Sequence, residues 1–203
     1  MSLVDLHLSP DPTLPNDVRV FLDEAGRRVE RFRWERSPPA FVPSDFPAAY
    51  AGLRALEEAN AASGRSFCEW GSGFGVAACL AAFLGFDACG IEAEAELVEA
   101  ARRLADDFGL PVQFARGNFI PAGSVARPDG RFAWLETGGP CGHAALGLDP
   151  DDFDVIYAYP WPDEEDLTAR LFQRHARAGA VLATYHGGDG LRFRKKTGKA
   201  RRP

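Results

Sequence analysis

The sequence predicts an α/β fold in which a doubly wound, mostly parallel β-sheet is covered by helices on both faces. From residue 65 onward, short apolar segments alternate with longer segments whose apolar residues recur at helical spacing. Strands separated by helices imply right-handed crossovers, which make neighbouring strands parallel. The chain has 203 residues, 46% of them hydrophobic and 26% charged, which fits a single domain over residues 1–203 with a sizeable core.

The first third of the chain precedes this alternation. Residues 18–34 are expected to form an N-terminal β-hairpin, because β-branched and aromatic residues flank the glycine-containing segment DEAG. This hairpin would add a strand to the sheet or pair two subunits. A Pro-rich extended linker follows, and Ser44 or Asp45 is expected to cap a helix that begins near Phe46.

The alternating part predicts five strands and three intervening helices. The strands are SFCEW, DACGIE, PVQFARGN, FDVIYAY and AVLATYH, and the helices are GVAACLAAFLG, AELVEAARRLADDFG and DEEDLTARLFQRHARAG. Residues 120–152 are rich in Gly, Pro and Asp and interrupt this rhythm before the fourth strand. We expect them to form an insertion or a lid, since a long connection without periodicity is usually one or the other.

Charge is distributed unevenly along the chain. The formal net charge is −6, yet the last fourteen residues carry seven Lys or Arg and no acid. Residues 191–203 are therefore expected to form a basic, solvated and frayed tail. The alternative is a tail that binds nucleic acid or an acidic partner. The acidic remainder of the chain makes nucleic acid an unlikely partner.

Targeting signals and cysteine usage indicate the compartment. There is no apolar run near the roughly 20 residues of a membrane span, and residues 1–17 do not resemble a signal peptide. The four cysteines form no CxxC pair, so reduced thiols are expected. These features predict a cytoplasmic protein that does not enter a membrane.

The loop after the first strand of this part, EWGSGFG, contains Gly71, Gly73 and Gly75. In an open parallel sheet, ligands bind beside such a loop, at the carboxyl ends of the strands. Missing Cβ atoms let the backbone bend tightly and let a ligand lie against it, and the following helix offers free N–H groups. Dinucleotides and S-adenosylmethionine are the two ligand classes that fit.

The spacing of the glycines distinguishes the two classes. A dinucleotide fingerprint, GxGxxG, would require glycine where Val76 stands, whereas the spacing here is GxGxG. Glu69 also precedes the loop, where it would repel a pyrophosphate but attract the ammonium group of an amino acid. A nicotinamide-dependent oxidoreductase is therefore disfavoured, although it stays open as an alternative.

The segment EWGSGFG resembles motif I of class I S-adenosylmethionine-dependent methyltransferases, and the similarity extends over residues 40–190. The resemblance implies a Rossmann-like fold, S-adenosylmethionine as cofactor, and a cofactor-binding half over residues 65–119. In it, Glu92 would hold the ribose hydroxyls, and Asn118 and Phe119 would lie at the adenine ring. The implied cofactor-binding residues are Glu69, Gly71, Ser72, Gly73, Gly75, Glu92, Asn118 and Phe119.

The same resemblance places motif IV at DVIYAYPWP, in a substrate-side half over residues 153–190. Relatives that methylate planar amino groups have Asn or Asp where Tyr159 stands, which puts a nucleobase or glutamine acceptor in doubt. Tyr159, Pro160 and Trp161 are instead expected to contact the acceptor, because aromatic faces attract alkylammonium groups. Tyr157 and Tyr185 are expected to pack in the sheet.

Tyr159, Trp161 and His186 are the candidate catalytic residues. His186 could act as a base, since its ordinary pKa lies near 6.5, or could simply end the fifth strand. Cys141 and His143, in PCGH, lack the partner pair of a zinc site, and no metal is expected.

A closer similarity, through AFVPSD, GIEAEAELVEAAR and FDVIYAYPWPDEE, is to small lysine methyltransferases that modify an ATP-synthase subunit. It implies that the methyl acceptor is a protein lysine or a small-molecule amine. A catalytically silent module that binds S-adenosylmethionine and serves a partner protein is the alternative of another class. The oligomeric state is left open.

Overall fold

The computed structural model describes residues 2–36, 41–121, 124 and 139–198. They form one seven-stranded sheet with helices on both faces. The strands are β1 Leu3–Leu6, β2 Ser66–Trp70, β3 Asp87–Glu92, β4 Gln113–Arg116, β5 Val155–Ala158, β6 Val181–Tyr185 and β7 Leu191–Lys196. The helices are α1 Asn16–Arg36, α2 Phe46–Glu58, α3 Val76–Phe83, α4 Ala95–Asp107, α5 Gly142–Leu146 and α6 Glu165–His175. Three short 3-10 turns span Pro150–Asp152, Pro162–Glu164 and Gly187–Asp189.

The strand order is β1-β7-β6-β5-β2-β3-β4, with β2 to β6 parallel and with β7 and β1 antiparallel to their neighbours. The chain moves outward from β2 to β4, then returns to start β5 on the other side of β2. Strand order therefore reverses between β2 and β5, and the carboxyl ends of these two strands flank the crevice that results. The predicted fold class is confirmed.

The sheet separates two apolar cores. Phe67 of β2 belongs to the core shared with α1 to α4, whereas Cys68 and Trp70 belong to the core shared with α6. Alternation along β2 thus buries both faces of the strand, as helices on both sides of a parallel sheet require.

The predicted hairpin over residues 18–34 is wrong, because these residues lie within α1. The helix buries Val18, Phe21, Ala25 and Val29, which recur every three or four residues and pack into the core beneath the sheet. Burial of this helically spaced apolar face favoured the helix more strongly than the β-branched residues favoured a strand. The expected turn, DEAG, continues as one more turn of helix.

The prediction of a frayed tail is wrong for residues 191–196, which form β7 in the sheet. Lys196 is buried, and its ammonium group donates to the carbonyl oxygen of Ala176. Arg192 Nε lies 2.8 Å from Asp5 Oδ1 of β1, diagonally across the strand pair, since Asp5 stands opposite Arg194 in the register. The N-terminal strand therefore covers the sheet edge that β7 would otherwise expose. Residues 199–203 of the predicted tail lie outside the described residues.

Of the two predicted candidates, Ser44 and Asp45, it is Asp45 that caps α2, since its Oδ1 accepts the Ala48 N–H at 3.0 Å. Of the predicted insertion, residues 122, 123 and 125–138 lie outside the described part, and the rest includes α5 and the Pro150–Asp152 turn. Within the described ranges, no helix has both the length and the apolar character needed to cross a bilayer.

Candidate functional site

A cavity of about 860 Å³ opens where β2, β3 and β5 end, at the point where the strand order reverses. It brings most of the predicted site residues together, although they come from separate halves of the chain. Those on the predicted cofactor side are Glu69, Gly71, Ser72, Gly73, Glu92, Asn118 and Phe119. Those on the predicted acceptor side are Tyr159, Pro160, Trp161 and His186. Gly75 is not part of the cavity wall.

The three glycines of the loop share a left-handed backbone, with φ of 70° at Gly71, 53° at Gly73 and 66° at Gly75. The three positions differ, however, in the atoms that lie next to each Cα. A Cβ at Gly73 would come within 2.6 Å of the Phe41 ring, and one at Gly75 would overlap the Phe114 ring. At Gly71 the space beyond the backbone is open. Of the three, Gly71 therefore has the open approach that a ligand lying against the backbone requires.

Glu92 holds the glycine loop against the end of β3. Its carboxylate accepts the Gly73 N–H at 2.8 Å and the Glu94 N–H at 3.0 Å. Burial raises the pKa of Glu92, and these backbone hydrogen bonds oppose that shift. The side chain is thus fixed in the cavity wall and retains lone pairs for a further donor.

Glu69 lies under the loop and is only 6% exposed. Its carboxylate accepts the Ala78 N–H at 2.9 Å, in the first turn of α3. Burial raises the pKa of Glu69 to about 8, and the nearby charge of Glu92 acts in the same direction. A cation bound in the cavity would favour the charged carboxylate.

Asn118 and Phe119 follow β4. The Asn118 side chain accepts the Ile120 N–H at 3.1 Å, and its backbone forms an isolated bridge with Cys141. The Phe119 ring stacks on Trp70, with centroids 5.1 Å apart and planes 11° from parallel. Phe119 thus presents a supported aromatic surface at the cofactor side of the cavity.

The aromatic residues on the acceptor side divide into two groups. Tyr157 and Tyr185 are buried in the core, as predicted, and Tyr157 donates a 3.4 Å hydrogen bond to Ser44. Tyr159 is 36% exposed and meets Tyr185 edge-on at 4.8 Å. Trp161 lies beside it in the cavity wall. Tyr159 and Trp161 are therefore the two of these aromatic residues that line the cavity.

His186 is held between two polar side chains. Its Nδ1 lies 2.9 Å from a carboxylate oxygen of Glu165, and its Nε2 lies 2.7 Å from the Thr184 hydroxyl. Because a carboxylate can only accept, the neutral ring donates from Nδ1 and accepts the hydroxyl at Nε2. This arrangement fixes the orientation of the ring at the edge of the cavity.

Several residues of the cavity wall have no counterpart among those predicted from the sequence. Glu164, Glu165 and Thr168 come from the turn before α6 and its first two turns. The acidic run after PWP was a signal for the first two. Other contributors are Phe32 and Arg36 of α1, residues 41–44 before α2, and Phe46 at the start of α2. No local pattern marks that contribution, since it depends on how α1 and α2 pack.

All four cysteines are free thiols. Among the described residues, no three His, Cys, Asp or Glu side chains are grouped so that they could hold a metal ion.

No protein-family profile matches the chain, and no curated protein matches it. Solved structures do. An RNA methyltransferase from Salinibacter ruber in complex with S-adenosyl-L-homocysteine shares 19% identity with a TM-score of 0.53, over 80% of this chain and 97% of that one. A methyltransferase from Geobacter sulfurreducens shares 16% identity with a TM-score of 0.54, over 90% of this chain and 98% of that one.

An O-methyltransferase from Bacillus cereus in complex with S-adenosyl-L-homocysteine shares 15% identity with a TM-score of 0.50, over 85% of this chain and 66% of that one. Some other similar structures are longer, and this chain covers 47% and 54% of two of them. At such identities the likeness concerns the fold. The chain has the fold of class I S-adenosylmethionine-dependent methyltransferases.

Proposed function

We propose that the protein is an S-adenosylmethionine-dependent methyltransferase whose acceptor is a protein lysine or a small-molecule amine. The observation that carries this proposal is the continuous cavity at the β2–β5 crevice. It joins a carboxylate-lined glycine loop on one side to an aromatic wall on the other. Two similar structures were solved with S-adenosyl-L-homocysteine, which supports the choice of cofactor.

The residues present fit this cofactor. Gly71 leaves the backbone open, Glu69 offers a buried carboxylate to the ammonium end, and Glu92 offers lone pairs to the ribose hydroxyls. Asn118 and Phe119 would receive the adenine ring, with Phe119 supported from behind by Trp70. When bound, the cofactor supplies an activated methyl group.

The acceptor side of the cavity would align the incoming nitrogen. Methyl transfer is an in-line displacement, so orientation and exclusion of water supply most of the catalysis. The acceptor amine would lose one proton, and its lone pair would then accept the methyl group that the bound cofactor would supply. Tyr159 and Trp161 would position the alkyl chain. His186, fixed by Glu165, would accept the proton at Nε2, in place of the hydrogen bond that the Thr184 hydroxyl donates there.

Calorimetric titration of S-adenosylmethionine tests the cofactor assignment. The wild type should bind, and Glu92→Ala should weaken binding roughly 10- to 100-fold, because a hydrogen bond to a charged group contributes about 1.5–3 kcal/mol. Glu99→Ala is the matched control, since Glu99 is an exposed carboxylate of α4 that pairs with Arg102. Absence of binding to the wild type would overturn the proposal.

Two further measurements separate the alternatives. A catalytically silent module would bind S-adenosylmethionine but form no S-adenosyl-L-homocysteine with any amine offered. An oxidoreductase would bind NADH in a fluorescence titration, whereas the proposed enzyme should give no signal.

A further inference from the structure

Glu164 is an unusual residue in the acceptor side of the cavity. It ends the Pro162–Glu164 turn, just before α6, and contributes to the cavity wall. It is 6% exposed. Its Oε1 is buried and, among the described residues, has no hydrogen-bond partner.

A buried carboxylate oxygen without a donor is unfavourable, since it has lost its hydrogen bonds to water and accepts none from the protein. Among the described residues, Glu164 Oε1 is the one buried carboxylate oxygen that lacks a donor. Glu69 accepts a backbone N–H, and Asp154 accepts from Ser66 and Arg177. Burial raises the pKa of Glu164, and the backbone at Trp161 opposes this only in part. A cation bound in the cavity, whose wall includes Glu164, would stabilise the charged form of this carboxylate.

The charges around the cavity favour such a cation. Arg36 is the only Lys or Arg among the described residues of the wall, and it lies 3.6 Å from Glu96, which is also in the wall. Five carboxylates besides Glu164 line the cavity. Two of them, Glu69 and Glu92, lie on the proposed cofactor side, and Glu165 contacts His186. An anionic acceptor would meet repulsion here at short range.

Aromatic side chains complete the subsite. Tyr159 and Trp161 lie in the same part of the wall as Glu164, and Tyr185 supports Tyr159 edge-on. A ring face and a carboxylate together bind an alkylammonium group better than either does alone, since both attract the positive charge.

We propose that Glu164 is the specificity residue of the acceptor subsite and that it selects an acceptor that carries a protonated amine. The inference rests on the proposed methyltransferase function. It narrows the acceptor to a cation and disfavours polyanions such as RNA.

The test measures binding to protein saturated with S-adenosyl-L-homocysteine, so that no turnover intervenes. The probes are two matched sets: n-butylamine, 1-butanol and butyrate, and benzylamine, benzyl alcohol and benzoate. A uridine decanucleotide is the RNA probe. At least one amine should bind tenfold or more tightly than its alcohol and its carboxylate, and the decanucleotide should bind more weakly than that amine.

The variants are Glu164→Gln, which keeps the shape and removes the charge, and Asp166→Asn as control. Asp166 is an exposed carboxylate two residues further along, outside the cavity wall. Glu164→Gln should weaken amine binding tenfold or more, whereas Asp166→Asn should change it less than twofold. Glu164→Asp keeps the charge and should retain the preference for the amine. This variant provides the test if Glu164→Gln proves too unstable for binding measurements.

The outcomes separate the two proposals. Failure of the wild type to bind S-adenosyl-L-homocysteine would overturn the methyltransferase function. Binding of S-adenosyl-L-homocysteine without preference for either amine would overturn the role of Glu164 alone. The same holds if RNA binds more tightly than the amines, or if Glu164→Gln binds the amine as the wild type does.

Discussion

Glu69 lies beneath the glycine loop with its carboxyl group almost completely withdrawn from water. In the free protein its pKa is about 8, because burial disfavours the charged form more strongly than the Ala78 N–H stabilises it. At neutral pH the group therefore holds a proton for most of the time. An ammonium group bound beside it would favour release of that proton.

This linkage predicts that cofactor binding depends on pH. Affinity for S-adenosyl-L-homocysteine should rise up to tenfold per unit from pH 6 to about 8 and then level off, as Glu69 becomes charged without the need for a ligand. Calorimetric titration from pH 6 to 8.5 checks it. Glu69→Gln should bind more weakly and lose this dependence, and a flat profile in the wild type would contradict the assignment.

The raised pKa of Glu69 should also affect the stability of the ligand-free protein. Stability should fall as pH rises, whereas the affinity for S-adenosyl-L-homocysteine should rise. The pKa of Glu69 in the folded protein lies above its ordinary value of 4.5. The stability contributed by the protonated form is thus fully present below pH 4.5 and is lost as pH rises through 8. In the absence of ligand, Glu69→Gln should therefore gain stability relative to the wild type as pH rises from 6 to 9. Thermal melts of both proteins across this range check it, and parallel profiles would contradict the shift.

At the scale of elements, the loop between β2 and α3 needs its glycines for two separate reasons. All three positions require a left-handed backbone, which costs other residues about 1–2 kcal/mol. Beyond that, Gly75 packs under Phe114, whereas Gly71 faces open space at the cavity. The loop is thus shaped on one side by the core and on the other by the cavity.

Alanine substitutions should separate these two roles. Gly75→Ala adds overlap with the Phe114 ring to the backbone strain, and overpacking costs about 1–3 kcal/mol more. It should therefore melt several degrees below Gly71→Ala, at roughly 2–4 °C for each kcal/mol. Gly71→Ala should lose more affinity for S-adenosyl-L-homocysteine than stability. Equal melting temperatures would contradict this division.

Helix α1 shows how tertiary packing decides between local alternatives. Its residues include Val, Phe and Gly, which satisfied the criteria for a hairpin when considered locally. Their apolar positions also repeat at helical spacing, and Phe21 packs edge-on against Phe83 of α3 and Phe108 after α4. Burial against these rings favours the helix, because a strand would turn half of the apolar side chains away from the core.

On the scale of the whole molecule, the two ends of the chain complete the sheet together. β1 pairs with β7 at the sheet edge, and the Thr197 N–H donates to the Ser2 carbonyl at 2.9 Å. The described residues of the cavity wall lie between Phe32 and Gly187. β1 and β7 therefore support the fold without contributing to the site.

Removal of residues 1–8 should test this separation. The shortened chain should melt at a lower temperature, because β7 loses its outer neighbour and Leu3 and Leu6 lose their packing. Its affinity for S-adenosyl-L-homocysteine at 10 °C should stay within threefold of the wild type. Asp5→Asn, which removes only the exposed pair with Arg192, should melt close to the wild type. A large loss of affinity in the shortened chain would show that the edge reaches the site.

The sequence by itself determined the alternating βα core, a helix cap at Ser44 or Asp45, and most of the polar and glycine residues that meet at the crevice. These features depend on local periodicity and on the rule that parallel strands end at one edge of the sheet. Spacing along the chain therefore suffices to bring residues such as Glu69, Glu92 and Tyr159 to the same crevice. Their roles with cofactor and acceptor stay predictions.

Only the tertiary structure decided the rest. Residues 16–36 form a helix, and β1 pairs with β7 at the edge of the sheet. Gly73 and Gly75 pack against aromatic rings. Glu164 is also buried without a partner for its Oε1 among the described residues. The physical reason is the same for all of these features. Each depends on contacts between residues that lie far apart in the chain, so the local spacing of residue types cannot predict it.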